Sequence, residues 1–285
     1  MINCFFVSDL HGNINRYQKL FAKIEEELPN ILFLGGDILP PVFYSPTNNE
    51  YDDFFEDILL KGFLQLKRNL GSSYPKVFLI LGNDDGAYFE DSIVRAEDLG
   101  VWKYIHNKKI ELGEYNIYGY NYVPPTPFQL KDWEKYDVSR YVDPGCISPE
   151  EGKHSKKLEK NEIKYSTIQN DIEKLVQEKN LDKSIFLFHS PPYKTKLDRA
   201  ALDGKKIDHV PLDVHVGSIA IKRFIENQQP LLTLHGHIHE SAEITGAWND
   251  RIGKTYSFSA AHNGSELALV KFNLESLDKS ERELL

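Results

Sequence analysis

Cysteine is scarce. The chain of 285 residues has two, Cys4 and Cys146. Two are too few for a disulfide framework, and a reducing, cytoplasmic compartment fits. Long apolar runs are also missing. No stretch approaches the roughly 18 apolar residues of a membrane span. The N-terminus lacks the charged and apolar segments that mark a signal peptide. Positive charge is in deficit, with a formal net charge of −9. An acidic surface repels phosphate backbones, so nucleic acid is a disfavoured partner, although a local metal site still attracts phosphate. No Gly/Ser/Pro-rich linker, internal repeat or low-complexity tract divides the chain. What remains is 41% hydrophobic and 27% charged, enough for one large core. The expectation is a single domain over residues 1–285. Oligomeric state is not legible.

What is present is a series of short apolar strands ending in polar residues. Cys4 to Val7 runs into Ser8-Asp9-Leu10-His11-Gly12-Asn13. Asp9 and His11 are two apart, and in extended chain positions i and i+2 point to the same side. Ile31 to Leu34 runs into Gly35-Gly36-Asp37, and Val77 to Leu81 into Gly82-Asn83-Asp84-Asp85. Ile185 to Phe188 delivers His189. Leu231 to Leu234 delivers His235-Gly236-His237-Ile238-His239-Glu240. Helical patterns separate the first strands: Leu20, Phe21, Ile24 and Leu28, then Tyr51 to Leu70 after a loop from Pro40 to Glu50. Strands alternating with helices predict parallel βαβ units, whose ligands collect outside the carboxyl ends of the strands.

Further along, Phe89 to Leu99 has a helical pattern, and Trp102 to Ile105, Lys109 to Leu112 and Tyr115 to Tyr120 read as strands. Residues 121–155 are irregular and hold Tyr122, Phe128, Trp133, Tyr136 and Tyr141. This loop reads equally as an insertion packed on its own aromatics and as a lid. Lys156 to Lys179 predicts one charged amphipathic helix, and Val216 to Ile225 fits a further helix. Ser241 to Ile244, Thr255 to Ser259 and Leu267 to Phe272 predict antiparallel strands. The tail from Ser276 is expected to fray.

Asp9, His11, Asp37, Asn83, His189, His237 and His239 all offer carboxylate, imidazole or amide ligand atoms. Seven such ligands exceed the needs of one tetrahedral ion, so two divalent ions are the natural count. A two-metal site clamps attacking and leaving oxygens and makes a nucleophile from water near neutral pH. That chemistry suits phosphoester hydrolysis. Oxygen and nitrogen ligands admit Mn, Fe, Zn, Co or Ni, with Mn favoured. Among other residues, Asn13 is a candidate phosphate contact or helix cap. His215 is a candidate phosphate contact at a helix start, or a capping or loop residue. His235, by alternation, shares the face of His237 and His239, for substrate contact or support of a ligand. His106, His154 and His209 read as surface residues, and His262-Asn263-Gly264-Ser265 as a turn.

The ordered series Asp9-x-His11, Gly36-Asp37, Gly82-Asn83-Asp84-Asp85, His189 and Gly236-His237-x-His239 resembles the calcineurin-like metallophosphoesterase superfamily, and in local detail its Icc-related predicted phosphoesterase branch. The resemblance spans residues 9 to 239. It implies an α/β fold, a four-layer α/β/β/α sandwich of two mixed sheets. It also implies that Asp9, His11 and His239 hold one metal, that Asn83, His189 and His237 hold the other, and that Asp37 bridges them. A metal-bridging hydroxide would then attack phosphorus.

One position departs from the pattern. Many members place histidine directly after the motif asparagine, where this chain has Asp84. An ordinary aspartic acid is ionised at neutral pH and donates a proton poorly unless strongly desolvated. Members without that histidine resemble phosphodiesterases, or act on substrates with good leaving groups. The leading expectation is therefore a metal-dependent phosphodiesterase acting on a small or medium organic phosphate, with Asp84 as the candidate catalytic residue. The alternatives are a phosphomonoesterase or protein phosphatase, and a non-catalytic phosphoesterase-like binding scaffold.

Overall fold

Strands that are apolar throughout must be covered on both faces. In the computed structural model, which describes residues 1–41 and 53–285, each central strand indeed serves two cores. The expected Pro40–Glu50 loop and the start of the Tyr51–Leu70 helix fall largely outside the described residues. In chain order the elements are β1 (Asn3–Val7), α1 (Ile14–Glu27), β2 (Ile31–Gly35), α2 (Lys61–Leu70), β3 (Lys76–Ile80), α3 (Glu90–Ala96), β4 (Lys103–Tyr104), β5 (Lys108–Leu112) and β6 (Tyr115–Tyr120). Then come α4 (Lys160–Tyr165), α5 (Ile168–Leu175), β7 (Ser184–Phe188), β8 (Lys206–Ile207), β9 (Val210–Pro211), α6 (Ile219–Gln228) and β10 (Leu232–His235). The chain closes with α7 (Ser241–Thr245), β11 (Asn249–Ile252), β12 (Thr255–Ser259), β13 (Ala268–Asn273) and β14 (Glu281–Leu284).

Two six-stranded mixed sheets result. One has the order β14-β13-β1-β2-β3-β4, the other β11-β12-β10-β7-β6-β5. β1 to β4 run parallel, as do β6, β7, β10 and β12. Side-chain alternation sorts the layers. Phe6, Phe33, Phe78, Ile185, Leu187 and Leu234 meet between the sheets. Their neighbours Phe5, Val7, Leu32, Leu34, Phe186 and Phe188 face outward, under helical residues such as Leu20, Ile24, Phe63, Ile172 and Phe224. The fold is the expected α/β/β/α sandwich. Among the described residues, no helix is long and apolar enough to cross a membrane.

Several local expectations need correction. The Lys156–Lys179 helix is two helices, because Ser166 is extended and Thr167 caps α5 by accepting from Asn170 N. Ser241–Thr245 is a short helix ended by left-handed Gly246, where a strand was expected. The tail does not fray. β14 pairs with β13, and Lys271 reaches Glu27, Glu281 and Glu283.

The 121–155 segment packs on itself and on the body. Tyr122, Trp133 and Tyr136 are buried, while Phe128 and Tyr141 are exposed. Lys131 and Glu134 form a fully buried ion pair, satisfied further by Thr126. Asp132 accepts from Ala87 N and Ser155 N, and Asp137 reaches across to the start of α6.

Candidate metal centre

The carboxyl ends of β1, β2, β3, β7 and β10 meet at one edge of the sandwich. Extended backbone, expected there from alternation, is not what the polar residues adopt. Asp9 (φ 56°), His11 (φ 46°), Asp37 (φ 51°) and His237 (φ 74°) all lie in the left-handed region. Non-glycine residues adopt it at some energetic cost, and such strain gathers at functional sites. Each strand has ended before its polar residue, and the turn aims the side chain inward. Two glycines permit the close approach. A Cβ at Gly82 would strike Asp37 Oδ1 and His189 Nε2; one at Gly236 would strike Ser8 Oγ and Asp9 Oδ2.

Asp9, His11, Asp37 and His239 each offer a ligand atom, all within 4.8 Å of one another. Asp37, His189 and His237 form a second such group, also within 4.8 Å. Asp37 belongs to both. Asn83 Oδ1 joins the second group, 3.2 Å from His189 Nε2. Backbone amides hold the carboxylates: His237 N donates to Asp9 Oδ1 at 3.0 Å, and Asp84 N donates to Asp37 Oδ1 at 2.8 Å. His189 Nδ1 lies 2.8 Å from the Gly35 carbonyl, so it donates there and turns Nε2 toward Asp37 Oδ2 at 3.2 Å.

The donor set fits divalent cations. His11 Nε2 and His239 Nε2 face each other at 3.1 Å, beside Asp9 Oδ1 at 3.2 Å from His239. Two imidazole nitrogens aimed at one point need a proton or a cation between them. His11 Nδ1 is buried with no hydrogen-bond partner.

His189 and Asp37 form an ion pair within the cluster. Burial alone would lower the His189 pKa; the adjacent carboxylate outweighs burial and pushes it up to about 10. Burial would raise Asp37, and His189 holds it low, at about 2. The raised His189 stabilises the metal-free fold fully below its ordinary value of 6.5, and that contribution is lost as pH rises through about 10. A divalent ion requires unprotonated His189. Melting temperature of chelated protein should therefore fall across pH 6.5 to 10, while metal-loaded protein is less affected. A chelated melting temperature that stays flat over this window would mean that the ion pair is absent.

The remaining candidates sort clearly. Asp84 lies at the mouth, with Oδ2 3.6 Å from His11 Nδ1. Burial and then Asp37 push its pKa up to about 7, which meets the condition of desolvation under which an aspartic acid donates a proton. Two dications beside it would draw that value back down. Asn13 caps α1, its Oδ1 accepting from Arg16 N at 3.2 Å.

His235 is seated inside the fold, where support of a ligand is its nearer role. It is fully buried, with Nδ1 2.9 Å from Ser190 O and Nε2 2.8 Å from Thr233 Oγ1. Left-handed His237 breaks the alternation that placed it with His237 and His239. Its work is to hold the chain just past His189. His235→Phe keeps the stack on Phe188 but leaves Ser190 O unpaired, so it should cost about 1–3 kcal/mol. Metal affinity should fall roughly 10–100-fold, read by metal titration. Unchanged affinity would deny His235 this supporting role.

The helix-start route to phosphate for His215 is closed. Asp137 already occupies the α6 N-terminus, accepting from Ile219 N, Ala220 N and Ser218 Oγ. His106 is half-buried: its ring packs among Tyr104, Tyr120, Tyr122 and Trp133, and burial drives its pKa down to about 3.

Two supporting residues do not stand out in the sequence. Asp85 is fully buried and accepts from Ile38 N (3.2 Å), Leu39 N (2.7 Å) and Gly82 N (2.9 Å), tying the Asp37 turn to the Asn83 turn. Arg16 donates to the Asp9 carbonyl at 2.6 Å and to the Gly264 carbonyl at 2.5 Å. Asp85 stands inside the Gly82–Asp85 motif, yet two of its partners lie 46 and 47 residues away and only the fold reveals them.

A solved structure shares this fold. TT1561 of Thermus thermophilus superposes with a TM-score of 0.59 at 15% identity, covering 99% of this chain and 98% of that one. A dimetal phosphatase from Danio rerio reaches a TM-score of 0.48 at 9% identity, covering 95% of this chain and 91% of that one. No curated protein matches the sequence. The family pattern described as calcineurin-like phosphoesterase matches residues 2–241. The chain belongs to the calcineurin-like phosphoesterase family.

Proposed function

We propose that the protein is a dinuclear, metal-dependent phosphodiesterase. The observation that carries this reading is the membership of Asp37 in both donor groups. Asp9, His11 and His239 would hold one divalent ion, and Asn83, His189 and His237 the other, with Asp37 shared. When bound, such a pair supplies activation of water and stabilisation of charge on the phosphoryl group. Manganese is favoured among Mn, Fe, Zn, Co and Ni.

The chain's own residues supply the rest. His189 and Asp9 are oriented by the Gly35 carbonyl and the His237 amide, so the donors need little rearrangement. Asp84 places a carboxyl at the mouth, with its side chain 32% exposed. A phosphomonoester carries a charge of about −1.5 to −2 at neutral pH, since its second pKa is near 6. A diester carries one. An ionised Asp84 repels the monoester more, which favours diesters. The natural substrate is thus a small or medium organic phosphodiester.

The test compares hydrolysis of a chromogenic aryl phosphodiester with its monoester, with manganese and with a chelator. A chelator-sensitive rate that favours the diester is expected. Preference for the monoester would overturn the diester assignment. Bound metal with no hydrolysis of either ester would favour a binding scaffold.

A further inference from the structure

The loop between β7 and α6 carries an Asp–His pair that is not part of the donor groups. Asp198 is fully buried and accepts from the backbone N–H groups of Lys194 (2.9 Å), Thr195 (2.9 Å) and Gly217 (3.2 Å). His215 Nδ1 lies 2.9 Å from Asp198 Oδ1. A carboxylate only accepts, so Nδ1 carries the proton and Nε2 is the working end of the ring. The side chain is 26% exposed, and Nε2 has no hydrogen-bond partner among the described residues.

The pair is stitched to both arms of the metal centre. On one side Ser218 N donates at 2.8 Å to the Pro191 carbonyl, two residues past His189. On the other, Arg199 pairs with His215 across an antiparallel bridge, and Arg199 N donates at 3.0 Å to Ser241 Oγ, two residues past His239. Several other polar groups of this loop are engaged. Tyr193 OH donates to Asp213 at 2.6 Å, and the Arg199 guanidinium donates to Ala200 O and Asp203. Asp137 fills the helix start. His215 Nε2 is left open, and Asp198 orients it.

We propose that His215, oriented by Asp198, is a catalytic residue that hydrogen-bonds the leaving-group oxygen of a bound phosphodiester and protonates it. This rests on the hydrolase reading above. In the step, the oxygen of water forms a bond to phosphorus. The bond from phosphorus to the leaving oxygen breaks, and its electron pair stays on that oxygen. The Nε2 proton of His215 moves to it, and the proton lost by the water passes to solvent, from which His215 is recharged. The substrate class becomes a diester with an alkyl leaving group, because an alkoxide needs that proton and an aryloxide departs without it.

The test uses the full metal-loaded chain and His215→Gln. Hydrolysis of a dialkyl phosphodiester should fall by roughly 10²–10⁴-fold, the usual worth of a general acid. Hydrolysis of an aryl alkyl diester, losing its aryl group, should stay within a small factor, with bound metal unchanged. An equal fall on both esters, or no fall on either, overturns the proposal.

Nitrogen-15 histidine NMR of the zinc-loaded protein adds a readout without turnover, with inorganic phosphate as probe. Phosphate should shift the Nε2 resonance of His215, and no shift overturns the contact. If the wild type hydrolyses neither ester, the hydrolase reading fails on its own. The phosphate response then still decides whether His215 faces the ligand.

Discussion

Asp37→Ala should lower hydrolysis by more than about 100-fold and reduce bound metal below two ions per chain. Loss of a group merely supporting a ligand costs roughly 10–100-fold in metal affinity, and a shared ligand should exceed that. Asp37 is 2% exposed and is the acidic group common to both donor sets. Its removal also strips His189 of the carboxylate that holds its proton in the metal-free state. Metal content and rate, measured together, check this. A variant that keeps two ions at wild-type affinity would show that the two donor sets do not depend on a shared carboxylate.

Asp85→Ala should produce the largest loss of stability, on the order of 3–5 kcal/mol, by leaving several buried amides unpaired at about 1–3 kcal/mol each. Those amides belong to Ile38, Leu39 and Gly82. They follow Asp37 and precede Asn83, so the damage should spread to the metal centre. Asp85→Asn keeps one acceptor oxygen and should lose less. Denaturant unfolding of the metal-free variants measures the difference. If Asp85→Ala unfolds like the wild type, the carboxylate is not what joins the two turns.

Much of this architecture is legible in the sequence. Apolar runs such as Ile31–Leu34 and Ile185–Phe188 are strands because both faces are buried, and their polar endings lie at one edge of the sandwich. The seven donor positions stand out because chemistry restricts them to few residue types. Backbone handedness is less legible. The expected i, i+2 projection of Asp9 and His11 comes from left-handed turns, and sequence alternation cannot report those. The same break at His237 explains why alternation does not fix the face that His235 shares. Long-range seats are hidden altogether. Asp137 occupies the helix start assigned to phosphate, and it comes from a segment 82 residues earlier. The β14 strand is hidden because its residues, Glu281 to Leu284, read as a charged tail until Lys271 and the β13 edge give them partners.

The most direct measurement is anomalous diffraction from a crystal of this protein soaked in manganese. Two peaks about 3.5–4 Å apart, with one Asp37 carboxylate between them, follow from the shared donor geometry. A single peak, or two peaks with Asp37 touching only one, would contradict it.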